Sequence, residues 1–81
     1  MIDSKWLQFD KCRDSPSGKT SLWEVTNKEN GSLLGSIKWW GAWRQYVFLP
    51  ADDCVFNRGC LRDLAAFLDE AMAARDAAAA P

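Results

Sequence analysis

The sequence predicts a small α+β domain: a three-stranded antiparallel sheet, open to a fourth N-terminal edge strand, with one C-terminal α-helix packed on one face. Two observations carry this. From residue 21 to 50, apolar and polar residues alternate in runs broken at Asn30-Gly31 and Gly41-Ala42, as hairpin-linked strands do. After Asn57 the apolar spacing changes to three and four, the period of a helix with one buried stripe. At 81 residues the chain makes a single domain, and one of that size buries only about 60–65% of its unfolded surface. Five Trp, four Phe and one Tyr supply bulky core material, each aromatic burying about 150–250 Å².

Residues 1–20 read as an N-terminal arm and loop. Trp6, Leu7 and Phe9 suit a brief strand or an arm that packs on the domain, and "DSPSGKTS" reads as a loop because Pro16 and Gly18 break regular pairing. The strand "SLWEVTN" puts Trp23 and Val25 on one face, Glu24 and Thr26 on the other. Asn30-Gly31 tolerates positive φ and marks a hairpin. The strands "LLGSIKWW" and "WRQYVFLP" then flank Gly41-Ala42, where Gly41 suits the first central position of a type II′ turn. In that register Trp40 opposes Trp43, Ile37 opposes Tyr46 and Gly35 opposes Phe48. A two-residue loop at Asn30-Gly31 would set Trp23 against Lys38, whereas a type I turn with Gly31 as a bulge sets Trp23 against Ile37 and Val25 against Gly35. Only the bulged turn gathers Trp23, Val25, Ile37, Trp39, Tyr46 and Phe48 on one face, and a one-residue slip would exchange the faces.

"PADDCVF" is a connection. Asn57 suits an N-cap, with Phe56 and Leu61 at the spacing of a hydrophobic staple. Leu61, Leu64, Ala65, Leu68 and Met72 form the expected apolar stripe, and Arg75 ends it where a cation suits the helix dipole. The domain is thus expected over residues 21–76, with a disordered Ala-rich tail over 77–81.

Ten Lys plus Arg against eleven Asp plus Glu give no basic field for duplex DNA and no acidic surface imitating it. There is no histidine, which removes the commonest general base and every Ser-His or Cys-His pair. No enzyme activity, catalytic residue or cofactor is therefore expected. Three cysteines without histidine fall short of a structural zinc set, so no metal is expected. No secretory or membrane-spanning segment is evident, and the odd cysteine count points to a reduced, cytoplasmic setting with no membrane partner.

Several motifs have plainer readings. Gly18-Lys19-Thr20 ends like a phosphate-binding loop, but the required preceding glycine is Arg13 and a strand follows instead of a helix. Asn30-Gly31-Ser32 is better a turn than a glycan acceptor. Asp52-Asp53 reads as solvated carboxylates before a helix. Cys60, at the third helical position, reads as a buried structural thiol.

The informative constellation is the sheet face away from the helix: Leu34, Ser36, Lys38, Trp40, Trp43, Gln45, Val47 and Leu49, with Leu22, Glu24 and Thr26. One helix cannot cover both faces of the sheet, so Trp40 and Trp43 are expected to stack at the hairpin tip beside Lys38, Arg44 and Gln45. Two structural explanations compete with function there. The pair can stabilise the tip as a cross-strand contact, or the N-terminal arm can cover it through Trp6 and Phe9. The functional reading is a partner-binding patch of Trp40, Trp43, Lys38, Arg44 and Gln45, since Trp, Tyr and Arg dominate interface hot spots. The alternative is single-stranded nucleic acid, with bases on the aromatics and phosphates on Lys38 and Arg44. Exposed sheet edges allow a monomer or a dimer by strand pairing.

The elements Trp23-x-Val25-x-Asn27, Leu34-Gly35-x-Ile37, Trp39-Trp40-Gly41-x-Trp43-Arg44-x-Tyr46-x-Phe48-x-Pro50 and Phe56 with Gly59-Cys60-Leu61 resemble a family of small proteins from phages, prophages and bacterial genomes. The resemblance covers roughly residues 22–70. A phage setting implies a small inhibitor that binds and blocks a host defence complex, in the manner of an anti-CRISPR protein.

Overall fold

The computed structural model describes residues 4–79. Four strands, β1 (Leu7–Asp14), β2 (Ser21–Asn27), β3 (Leu33–Trp40) and β4 (Gln45–Pro50), form one antiparallel sheet in the order β1-β2-β3-β4, and the helix α1 (Arg58–Ala79) follows. The N-terminal piece is thus a full edge strand. Leu7, Phe9 and Lys11 face Asn27, Val25 and Trp23. Only the first two are apolar, so the alternation fades into "DKCRD" and hides the strand's length. A bulge at Cys12 shifts the register before Arg13 meets Leu22.

Between β2 and β3 the expected pairs Trp23–Ile37 and Val25–Gly35 form. The device that sets them differs from the expected one. Residues 28–31 make a four-residue loop in which the Gly31 amide donates to the Asn27 carbonyl at 2.7 Å. The Asn27 side chain also accepts from the Glu29 and Asn30 amides. Gly31 takes φ 77°, and the register irregularity lies at Leu34, because Val25 faces Gly35 while Thr26 faces Leu33. Leu34, expected on the outer face, packs against the core cluster. Doubling a residue opposite one partner re-aims the local side chains.

The β3–β4 turn corrects the two-residue expectation. Residues 41–44 form the loop, so Trp40 faces Gln45, Trp39 faces Tyr46, Ile37 faces Phe48 and Gly35 faces Pro50. The Trp43 amide donates to the Trp40 carbonyl and the Arg44 amide to the Gly41 carbonyl, two overlapping turns that close with Arg44 at φ 54°. Four-residue hairpin loops are commonly built in this way. The slip is two residues, and a two-residue slip leaves every side chain on its own face. The hydrophobic pattern therefore could not distinguish the two loops.

The buried core comprises Leu7, Val25, Ile37, Tyr46, Cys60, Leu64, Phe67 and Ala71. Phe67, 1% exposed, stacks flat on Phe9 at 4.1 Å and meets Trp23 edge-on. Tyr46 lies edge-on to both Trp23 and Trp39, and its hydroxyl accepts from the Ser21 amide at 2.9 Å. A Cβ on Gly35 would lie 2.4 Å from the Leu49 carbonyl oxygen and 2.7 Å from the Phe48 ring, so only glycine fits beneath that ring.

Asn57 caps α1 as expected: its side chain accepts from the Cys60 amide at 2.8 Å, and its carbonyl from the Leu61 amide. The buried stripe is rotated from the expected one. Cys60, Leu64, Phe67 and Ala71 point inward, flanked by Leu68 and Met72, while Leu61 is 55% exposed and Ala65 is exposed. No staple forms. Phe56 packs on Phe48 instead, edge-on at 5.5 Å. Phe67 decides the rotation, since burying its ring outweighs burying Leu61 or Ala65. The helix continues through Ala79, into the expected tail, whose residues 80 and 81 lie outside the described residues.

Candidate binding face

Strand register places the outer-face side chains in rows. Arg13 on β1 faces Leu22 on β2. Trp23 faces Ile37, so Leu22 stands beside Lys38, and Lys38 faces Val47 on β4. One row toward the other end of the sheet, Asp10, Glu24, Ser36 and Leu49 follow each other across all four strands. Trp40 and Gln45 form a short row at the β3–β4 tip.

All five residues of the expected patch are exposed. Trp40 sits on β3 and Trp43 in the turn, so they do not oppose each other across the ladder. Their rings nonetheless approach to 6.1 Å at an interplanar angle of 54°, because the turn folds Trp43 back toward its own strand. Trp43 is 65% exposed and Trp40 37%. The Lys38 ammonium lies 5.6 Å from the Trp40 ring centroid, within cation–π range. Arg44 holds the left-handed position of the loop, which swings it out of the strand's pleat. Trp39 belongs to the helix side, where the Arg75 guanidinium covers its ring at 4.5 Å.

Among the described residues, the N-terminal arm leaves this face open. Phe9 is committed to Phe67. Trp6 lies against Gly59 near the start of α1, its indole nitrogen 3.3 Å from where a Gly59 Cβ would be. Ser4, 3% exposed, fastens the arm there: its hydroxyl donates to Asp63 and accepts from the Trp6 and Leu7 amides. The Lys28 ammonium adds a 2.9 Å bond to the Ser4 carbonyl. Covering by Trp6 and Phe9 is thereby overturned, because both aromatics are held on the helix side.

Lys38, beside the Trp40 ring, also lines a cavity of about 460 Å³ together with Arg13, Asp14, Ser15, Thr20, Leu22 and Trp39. It has no signature in the residue pattern. Arg13 reaches the outer face only because the Cys12 bulge shifts β1, and no pattern in "DKCRDS" announces that bulge. Asp14 is already engaged, at 2.7 Å from the Lys11 ammonium and 2.7 Å from the Ser21 hydroxyl. Those two contacts, Lys11 first, hold its carboxyl below the usual aspartate range.

Cys12 is exposed, Cys54 half-buried and Cys60 buried, all as free thiols. Cys60 thus lies in the core, where a structural thiol was expected. No described helix is long and apolar enough to cross a membrane.

A small protein of Acholeplasma phage L2, described as an uncharacterised 9.3 kDa protein, is 36% identical to this chain over 72 residues, covering 89% of this chain and 91% of the phage protein. No protein-family pattern and no solved structure matches the chain.

Proposed function

This chain belongs to the family of that small phage protein, and from there we propose that it is a non-enzymatic binding module. Its role is that of a phage-type inhibitor which blocks a host defence complex, of the anti-CRISPR kind, by occupying a surface in the host cytoplasm. The observation that carries the reading is the Trp40–Trp43 pair, exposed at a hairpin tip on a face that, among the described residues, neither helix nor arm covers. Large aromatics flanked by Lys38, Arg44 and Gln45 have the composition of an interface hot spot, and a small protein acting by steric occlusion needs no catalytic machinery.

The test begins with capture of the partner from host lysate, followed by titration of purified partner. Trp43→Ala is expected to weaken binding by at least about 2 kcal/mol. The fold should survive, since a cross-strand pair contributes only about 0.2–1 kcal/mol. Unchanged affinity in a folded Trp40→Ala/Trp43→Ala variant refutes the reading.

Single-stranded nucleic acid is the second reading, favoured by Lys38 beside the Trp40 ring. Asp10 and Glu24 on the same face oppose a phosphate backbone, and the chain's net charge of −1 adds no attraction. Salt-dependent binding of short oligonucleotides would support it, and no binding at low salt removes it.

A further inference from the structure

We infer that the cavity bounded by Arg13, Leu22 and Lys38 takes the carboxylate of an acidic segment of the protein partner, whose neighbouring apolar side chain rests on Trp40 and Trp43. This rests on the binding-module reading and adds the chemistry of what is bound.

Three observations support it. First, Arg13 and Lys38 flank Leu22 within one cross-strand row and line one cavity. Two strand spacings separate their backbones by roughly 10 Å, and both side chains are long enough to converge over the leucine. Secondly, neither cation makes an ion pair among the described residues, although Asp10 and Glu24 stand one row away and Asp14 lines the same cavity. Asp14 is taken by Lys11 and Ser21, and Asp10 accepts from the Gln8 side-chain amide. The cavity therefore presents two cationic groups whose nearest carboxylates do not neutralise them. Thirdly, Lys38, which lines the cavity with Leu22, has its ammonium 5.6 Å from the Trp40 ring, so the rim of the cavity adjoins the aromatic tip.

Charge complementarity selects the occupant. An arginine and a lysine together suit a carboxylate or a phosphate. The acidic row Asp10–Glu24 across the same face repels a continuous phosphate backbone, yet it leaves room for one carboxylate on a chain that is otherwise apolar. A cavity of this size holds one or two side chains.

The probes are the blocked peptides acetyl-Glu-Phe-amide and acetyl-Gln-Phe-amide and a (dT)₁₂ oligonucleotide, each titrated into ¹⁵N-labelled protein. The acidic peptide should shift the Arg13, Leu22 and Lys38 amides with saturation. It should bind at least about tenfold more tightly than the neutral peptide, and lose that advantage in Arg13→Gln/Lys38→Gln. Equal affinity for the two peptides, or shifts confined to other parts of the chain, overturns the inference. Tighter binding of the oligonucleotide at the same amides also overturns it and makes a phosphate the occupant. The two readings fail separately. Partner binding lost in Trp40→Ala/Trp43→Ala but unchanged in Arg13→Gln/Lys38→Gln removes the cavity from the interface and keeps the aromatic patch. Peptide capture at Arg13 and Lys38, with whole-partner binding indifferent to the tryptophans, does the reverse.

Discussion

Gly35 and Phe67 are the residues on which the packing depends most. An added Cβ at Gly35 meets a backbone carbonyl, which cannot swing aside as a side chain can. Gly35→Ala is therefore expected to cost about 1–3 kcal/mol, read as a lowered urea midpoint. Phe67→Ala should cost about 3–5 kcal/mol. A domain of this length has a total stability of only about 4–12 kcal/mol, so loss of the cooperative unfolding transition is the expected result. Asp14 gives a test in pH. Its carboxyl is held below the ordinary value of about 3.9 by the Lys11 ammonium and the Ser21 hydroxyl. The ionised form is therefore favoured in the fold, and its contribution is present above the unfolded value and lost as pH falls through the lowered folded one. Asp14→Asn should be less stable than the parent at pH 7, by a salt-sensitive margin that shrinks as pH falls past the ordinary aspartate value and through the lowered folded one. A margin constant from pH 7 to pH 2 would show that the carboxylate's charge has no part in it. Ring-level contacts such as Phe9 on Phe67 were not legible in the sequence. Phe9 sits in a segment whose charged residues conceal its alternation, and Phe67 falls outside the stripe that starts from Leu61.

The elements differ in how far their sequence spoke for them. β2, β3 and β4 were legible because each alternates and their two shared faces have to agree, which alone fixes the pairing of Trp23 with Ile37. Loop length was not legible, since parity is preserved under a two-residue slip and Gly41 fits either turn. The helix start was legible from Asn57, whose side chain has a defined task. Asn57→Ala is expected to cost about 1 kcal/mol, measurable by thermal or urea unfolding, whereas Asn57→Asp or Asn57→Ser should retain most of the stability. The rotation of α1 differs from the expected one by one residue at its first turn. A stripe of Leu61, Leu64, Ala65 and Leu68 and one of Cys60, Leu64, Phe67 and Ala71 share Leu64, and only the position of the phenylalanine separates them.

On the scale of the whole molecule, the covered and uncovered surfaces divide cleanly. α1 reaches from Phe9 on β1, through Phe67, to Tyr46 on β4, through Met72. The opposite face carries the basic row, the acidic row and the tryptophan tip. The tip residues of the candidate site were legible because the Trp-rich hairpin is conspicuous. The basic cavity beside them was not, because it is assembled by a bulge in a strand whose charged residues hide its length. The β4 edge is poorly suited to pairing with another chain. The Tyr46 amide is turned to the Met72 sulfur at 3.3 Å, and Pro50 has no N–H to offer. A monomer is the expected species in solution, checked by light scattering across a tenfold range of concentration. A mass that rises to twice the chain's own would favour strand-paired dimers, and the β1 edge would then be the side to examine.

The bulge in β1 has a practical consequence. It leaves Cys12 unpaired in the ladder and exposed, one residue from Arg13 at the rim of the cavity, while Cys60 is sealed in the core and Cys54 is half-shielded. A thiol-directed dye should therefore react at Cys12 first. The protein thus carries a native attachment point for an environment-sensitive fluorophore, so occupancy beside the tryptophan tip can be followed by emission without engineering a reporter into the chain.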